Sequence, residues 1–174
     1  MSTNLPANVE ILQVPITRTK FRVRLLPEHD IIDQLEKLAI AYQLDIGFAE
    51  FRMIGAVNEV NYQVSEIEKD SAEKKGIVNE KREAELLWCA GTIAWDSKNP
   101  SVPKVHGHII FADNSDPKHI AFGGHLNKGT KIWITAEIII DVLSGEKLFR
   151  EDNPDVGGAN LWKPFGIYPP LRKK

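Results

Sequence analysis

Between residues 20 and 26 the chain alternates. Phe21, Val23 and Leu25 stand against Arg22 and Arg24, a period of two that predicts a first strand with one apolar face. Past Pro27 the period lengthens: Ile31, Leu35, Leu38, Ala39 and Tyr42 recur at helical spacing, with Asp33, Glu36, Lys37 and Gln43 on the opposite side. Asp30 stands where a side chain can cap the first turn. The segment IGFAEFRMIGAVNEVNYQV reads as two strands around Gly55, a residue that invites a bend or bulge. Residues 65–85 are so dense in charge that they predict a solvated hairpin or helix-turn excursion. Strand character returns in LLWCAGTIAWD, interrupted by Gly91, and SKNPSVPK is a loop by its proline and asparagine content. VHGHIIF and KIWITAEIIIDVL are the strongest strand segments, with turn residues in ADNSDPKH after the first of them. The tail is rich in Pro and Gly and carries Trp162, Phe165 and Tyr168. The sum is an α+β domain, a mostly antiparallel central sheet with one main amphipathic helix.

Composition narrows the function classes. A chain of 174 residues suffices for one domain with a real core, and 43% hydrophobic with 26% charged residues is a globular composition. The formal charge of −2 gives no electrostatic basis for gripping a phosphate backbone, which takes clustered Lys and Arg. The one basic run is Arg172-Lys173-Lys174. A single cysteine, Cys89, rules out an intrachain disulfide, and beside Trp88 in a strand it reads as a buried, inert thiol. MSTNLPANVE lacks the basic-then-apolar layout of a secretion signal, and no apolar run approaches bilayer length. The expectation is a cytoplasmic protein without membrane contact.

Candidate chemistry sits in the histidines. His106 and His108 are two apart in a strand and therefore share a face, with Gly107 leaving the other face open. A hairpin through residues 114–118 would lay FGGHL alongside and bring His125 towards the pair. Three imidazoles with a vacant fourth position are the ligand set of a catalytic-type zinc site. The plainer alternative is a polar edge of the sheet. The Glu that follows the His-x-His of a cupin is absent, and so are two histidines four apart around a Glu, as in helical zincins. Glu137 interrupts the apolar run IWITAEIII, where a carboxylate is costly unless paired. It either orients a histidine, serves as general base to a metal-bound water, or points outward from a half-exposed strand. His29 and His119 fall in loops.

Taken together, Ala90-Gly91-Thr92-Ile93, His106 and His108, Gly123-Gly124-His125-Leu126 and Thr135-Ala136-Glu137 resemble the signature half of the plant-and-prokaryote conserved (PPC, or PCC) domain. The likeness runs over residues 21–161, with Pro27-Glu28-His29-Asp30 in place of the glycine usual before the helix. It implies an N-terminal extension at residues 1–19, the domain at 20–161 and a tail at 162–174. It also implies a homotrimer, and a metal site at His106, His108 and His125 near the subunit boundary. The expected ion is a divalent transition metal, zinc first, with iron or nickel as alternatives. The fold of the family is similar to that of acetolactate decarboxylase, a zinc enzyme with a three-histidine site; likeness of fold does not transfer that reaction. Plant members carry an Arg-Gly-Arg-Pro AT-hook, a motif this sequence does not contain. Three readings follow. One is a metal-binding regulatory or interaction domain that takes a small-molecule ligand at the metal. The next is a metal-dependent enzyme, lyase- or hydrolase-like, with Glu137 as its candidate base. The last is a DNA-associated regulator, against which the acidic balance counts. Whether the protein is an enzyme is left open by the residues. Assembly has support in the chain itself, since strands as apolar as IWITAEIIIDVL need both faces covered, and the aromatic tail could lie across a neighbour.

Overall fold

A computed structural model describes residues 16–41, 46–66, 74–113, 120–145, 148–153 and 159–164. β1 (Ile16–Leu25) and the helix α1 (Ile31–Ala41) come first, then two long strands, β2 (Ile46–Glu66) and β3 (Lys74–Asp96). β4 (Pro103–Asp113), β5 (Ala121–Leu126), β6 (Lys131–Gly145), β7 (Leu148–Asn153) and β8 (Ala159–Pro164) follow. The sheet order is β1-β6-β2-β5-β4-β3-β7-β8, and a further pairing of β2 with β3 closes β2, β3, β4 and β5 into a ring. The pairings are antiparallel apart from β3 with β7. The architecture is a mostly antiparallel sheet with, among the described residues, a single helix.

The helix begins where the sequence places its cap. Asp30 Oδ1 accepts a hydrogen bond from the Asp33 backbone N–H at 2.8 Å, satisfying a donor that the first turn leaves open. Its other oxygen accepts from the Gly129 N–H, so one carboxylate also pins the turn between β5 and β6. Ile31, Ile32, Leu35 and Ala39 are buried, whereas Lys37 and Ile40 are exposed. Tyr42 and Gln43 lie outside the described residues. The helix lies against β3 and β4. Phe51, Met53, Leu86, Ile109, Phe111, Ile138 and Ile140 are among the largest fully buried side chains of the core.

One expectation changes and another is made definite. IGFAEFRMIGAVNEVNYQV is not two strands but part of one, β2, in which Gly55 sits between register shifts at Met53/Gly55 and Gly55/Val57. The bulge is there, and the ladder runs through it because both neighbours re-register. The charged stretch takes the hairpin form of the two expected, as an extension of the sheet. Its two sides continue β2 and β3, with Ser65 opposite Lys75, and residues 67–73 lie outside the described set. Charge is tolerated in these strands because it is matched. Arg82 lies over the Phe122 ring at 5.0 Å and pairs with Glu80 at 3.3 Å and Asp113 at 3.5 Å. In the tail, β8 pairs with β7 of the same chain, Trp162 opposite Arg150, while Phe165 and Tyr168 lie outside the described residues.

β5 and β6 lie along the same edge of β2 and are separated by residues 127–130. That gap would leave the Asn61 backbone without ladder partners on that edge. Thr130, fully buried, fills it: its Oγ1 accepts from the Asn61 N–H at 3.0 Å and donates to the Asn61 carbonyl at 2.9 Å. Asn127 N–H also reaches that carbonyl at 3.0 Å. Thr130→Val should therefore strand the N–H alone and lower stability by about 1–3 kcal/mol, the cost of one buried unsatisfied donor. Urea unfolding is the measurement; an unchanged midpoint would mean that the ladder closes without the hydroxyl.

Candidate metal centre

β4 follows the two-residue rule with its histidines on one face. Val105, Gly107, Ile109 and Phe111 point inward or are partly covered, while His106, His108 and Ile110 point to the outer face. The inner position between the histidines is glycine for a reason. Gly107 pairs with Gly91 across the ladder, and the Phe51 ring fills the space against both, 3.1 Å from a Cβ placed at Gly107. β5 then sets His125 directly opposite His108, and also opposite Gln63 of β2. Gly124, next to it, has no room for a side chain because the Gln63 carbonyl of β2 abuts its Cα. The Gly-Gly pair therefore lets the histidine strand approach both neighbours.

The outcome is a cluster of imidazoles. One nitrogen from each of His106, His108 and His125 lies within 4.8 Å of the others, and ring centroids are 4.8–5.4 Å apart. His108 is exposed and the other two are half-buried, so the cluster opens to the outside on one flank. Two nitrogens roughly 2.0–2.1 Å from one zinc lie no more than about 4.2 Å apart, so the rings would draw slightly closer to share an ion, with coordination positions left over. Among the described residues no carboxylate or thiolate joins the group.

Two residues that sequence reasoning passed over complete the surroundings. Arg150, on β7 and buried, directs Nη2 to Thr92 Oγ1 at 2.7 Å and to His106 Nδ1 at 3.1 Å. Burial, and after it the charges of Arg150, His125 and His108, hold the His106 pKa down to about 4, so the ring is neutral near pH 7. Burial also lowers Arg150, to about 10, which leaves it cationic at that pH. Thr92 was legible in principle, since it stands cross-strand from His106. Arg150 was not, because nothing in the segment around it signals a strand that returns to β3.

Glu137 is placed elsewhere. β3 and β2 lie between its strand, β6, and β4, and its carboxylate is exposed and 3.7 Å from Arg24 on β1. It lines an outer groove of about 680 Å³ with Arg22, Arg24, Arg52, Ile54 and Trp88. The structure brings the three histidines together and leaves Glu137 apart from them within one chain. His29 is exposed and bonded through Nδ1 to the Pro27 carbonyl at 2.7 Å, and His119 is outside the described residues. Cys89 is fully buried, and burial pushes its thiol up to about 12.

Comparison with known proteins places this geometry. Among solved structures, a metal-containing protein of Archaeoglobus fulgidus superimposes with a TM-score of 0.70 at 22% identity, covering 89% of this chain and 99% of that one. A PPC protein of Pyrococcus horikoshii gives 0.68 at 20% identity over 90% and 100%. A protein of Ralstonia eutropha JMP134 whose name conjectures DNA binding gives 0.63 at 21% over 82% and 89%. At such identities these likenesses speak for the fold. Among curated sequences, the bifunctional protein GlmU of Synechococcus sp. (strain JA-3-3Ab) is 26% identical over 141 residues. That match takes in 81% of this chain but spans only 20% of the relative's length. The Plants and Prokaryotes Conserved (PCC) domain model matches residues 15–144, and the chain belongs to that family.

Proposed function

We propose that this protein is a metal-binding PCC-domain protein in which His106, His108 and His125 hold one divalent transition metal, zinc before iron or nickel. The observation that carries this reading is the convergence of three imidazole nitrogens within 4.8 Å, from two strands whose register sets His108 opposite His125. With its pKa held at about 4, chiefly by burial, His106 is neutral near pH 7, as a ligating imidazole must be. A metal-containing relative of the same fold adds to it. When bound, the ion would supply a Lewis-acidic position open on the exposed flank, suited to a small-molecule ligand in a regulatory role. The same position suits a lyase- or hydrolase-like reaction, for which Glu137 would have to act on a site other than that of its own chain.

Assembly as a homotrimer is part of the proposal. The outer face of the sheet carries Ile54, Trp88 and Ile110 exposed, with Trp88 opposite Ile110 on the ladder, an apolar surface that a second copy would cover. Against a DNA-associated role stands the pairing of the cations on that face. Lys20 and Arg52 both lie within 3.6 Å of Asp141, and Arg24 is 3.7 Å from Glu137. Such pairing offsets part of the basic charge there. Elemental analysis of untagged protein, purified without chelators, tests the central claim. About one equivalent of transition metal per chain is expected, and a metal-free protein would overturn it.

A further inference from the structure

β1 stands at one end of the sheet order, paired with β6 on one side and, among the described residues, with nothing on the other. Every second residue of the strand therefore turns a backbone N–H and C=O away from β6, as in an unfinished ladder. Its side chains divide by face. Arg18, Lys20, Arg22 and Arg24 share the outer face and are all exposed. At two residues per step these cations stand about 7 Å apart and span roughly 20 Å. Their cross-strand partners on β6 answer only half of them. Lys20 meets Asp141 at 3.6 Å and Arg24 meets Glu137 at 3.7 Å, but Arg22 stands opposite Ile139 and Arg18 opposite Leu143. Asp141 is further shared with Arg52 at 3.5 Å. On the inner face, Phe21 and Val23 pack against the core and are only partly covered, unlike Leu25.

Backbone and charge together select what can complete this edge. A second β1 laid alongside would set cation against cation on the outer face, which destabilises a strand pair. A phosphate backbone has no N–H or C=O with which to continue the ladder, and it would meet Glu137 and Asp141 on the same face. A peptide strand with Asp or Glu at every second position meets both demands, because its carboxylates fall opposite Arg18 and Arg22. Its intervening side chains point inward, where apolar, β-branched residues would cover Phe21 and Val23. We propose that the free edge of β1 is a docking site for an extended acidic segment of a partner protein, alternating Asp or Glu with β-branched residues and added as a further strand. Main-chain hydrogen bonds supply the affinity of such an addition and the alternate side chains its specificity. The histidine cluster takes no part in this contact.

The test is fluorescence anisotropy of a labelled short peptide alternating Glu and Val, titrated with the full chain. Wild type should bind it saturably, more weakly as salt rises, and should ignore both a Lys-Val alternating peptide and a peptide of the same composition with its Glu residues contiguous. Two further peptides, N-methylated on one or the other set of alternate amides, probe the ladder itself. One set faces β1 and the other faces solvent, so one of the two peptides should lose binding and the other keep it. The double variant Arg18→Glu, Arg22→Glu should bind about tenfold more weakly, as expected when two opposite-charge cross-strand pairs become like-charge pairs. Both residues are exposed and outside any ion pair among the described residues, so the fold should tolerate the change. Arg18→Gln with Arg22→Gln should fall between, and it serves as the readout if the reversed variant does not fold. Absence of saturable binding, equal binding of the contiguous-Glu peptide, equal binding of both N-methylated peptides, or affinity unchanged in both variants would each overturn the proposal. Oligothymidylate bound more tightly than the peptide would overturn it in favour of a phosphate-backbone ligand.

Discussion

A His108→Ala variant should fold as the wild type does and fail to hold the metal. His108 is exposed, so its removal leaves no cavity, and it stands on a ladder whose backbone pairings with Ala90 and His125 do not depend on the side chain. Loss of one of three protein ligands should weaken metal binding by more than about 100-fold, the upper end of what losing a mere supporting partner costs. Metal content by elemental analysis and the unfolding midpoint, measured together, check both halves. Retention of a full equivalent would show that the ion, if present, is held elsewhere. His106→Ala is the less clean experiment, because it also removes the partner of Arg150.

The metal-free protein should, in addition, lose stability as the pH falls from about 6.5 towards 4. An unfolded histidine takes up its proton near 6.5, whereas burial and the Arg150 charge hold folded His106 at about 4. Between those values the unfolded state binds more protons, so acid favours unfolding, and below the lower value this contribution no longer changes. Urea midpoints across that range, compared with those of a His106→Ala variant, isolate the effect. Equal slopes in the two proteins would remove His106 as its source.

Gly91→Ala should be strongly destabilising. A Cβ at that position overlaps the His106 carbonyl oxygen, lies 2.6 Å from Gly107 Cα and 2.8 Å from Phe51 Cζ. Two of these atoms are backbone and the third belongs to a ring buried to 1% exposure, so no flexible side chain can give way. Either β4 moves away from β3 or Phe51 leaves its seat. Overpacking of this kind costs about 3 kcal/mol, at the upper end of the usual range, and here the displaced strand carries two of the candidate ligands. The variant should thus show both a lower urea midpoint and weaker metal binding. A stable variant with normal metal content would mean that the ring relaxes more easily than its contacts imply.

The parts of this structure that were legible in sequence are those where one local rule decides. His-Gly-His in a strand sets two imidazoles on one face, and turn residues after it return a strand with His125, and both hold. Asp30 was readable as a cap for the same reason. The illegible parts are those where distant partners override local composition. Residues 65–85 read as a solvated hairpin or helix-turn and the hairpin is there, yet within it Arg82 has Glu80, Asp113 and the face of Phe122 to meet, which its local charge density did not signal. Gly55 looked like a strand break, yet β6 and β3 re-register on either side of it. Arg150 sits before a Pro- and Gly-rich tail, and only the parallel pairing of β7 with β3 brings it to His106.

The turn at residues 127–130 has a consequence for how this chain can change over generations. Because β5 and β6 share one edge of β2, the number of residues between them fixes which way each side chain of β5 points relative to the rest of the sheet. Inserting or deleting one residue there would leave composition and hydrophobicity almost untouched, yet turn His125 to the inside of the ring and put Gly124 in its place. Substitutions in the turn can accumulate one at a time, but its length cannot drift without abolishing the cluster in a single step. In descendants that keep all three histidines, the spacing from His125 to Thr130 should therefore be inherited unchanged.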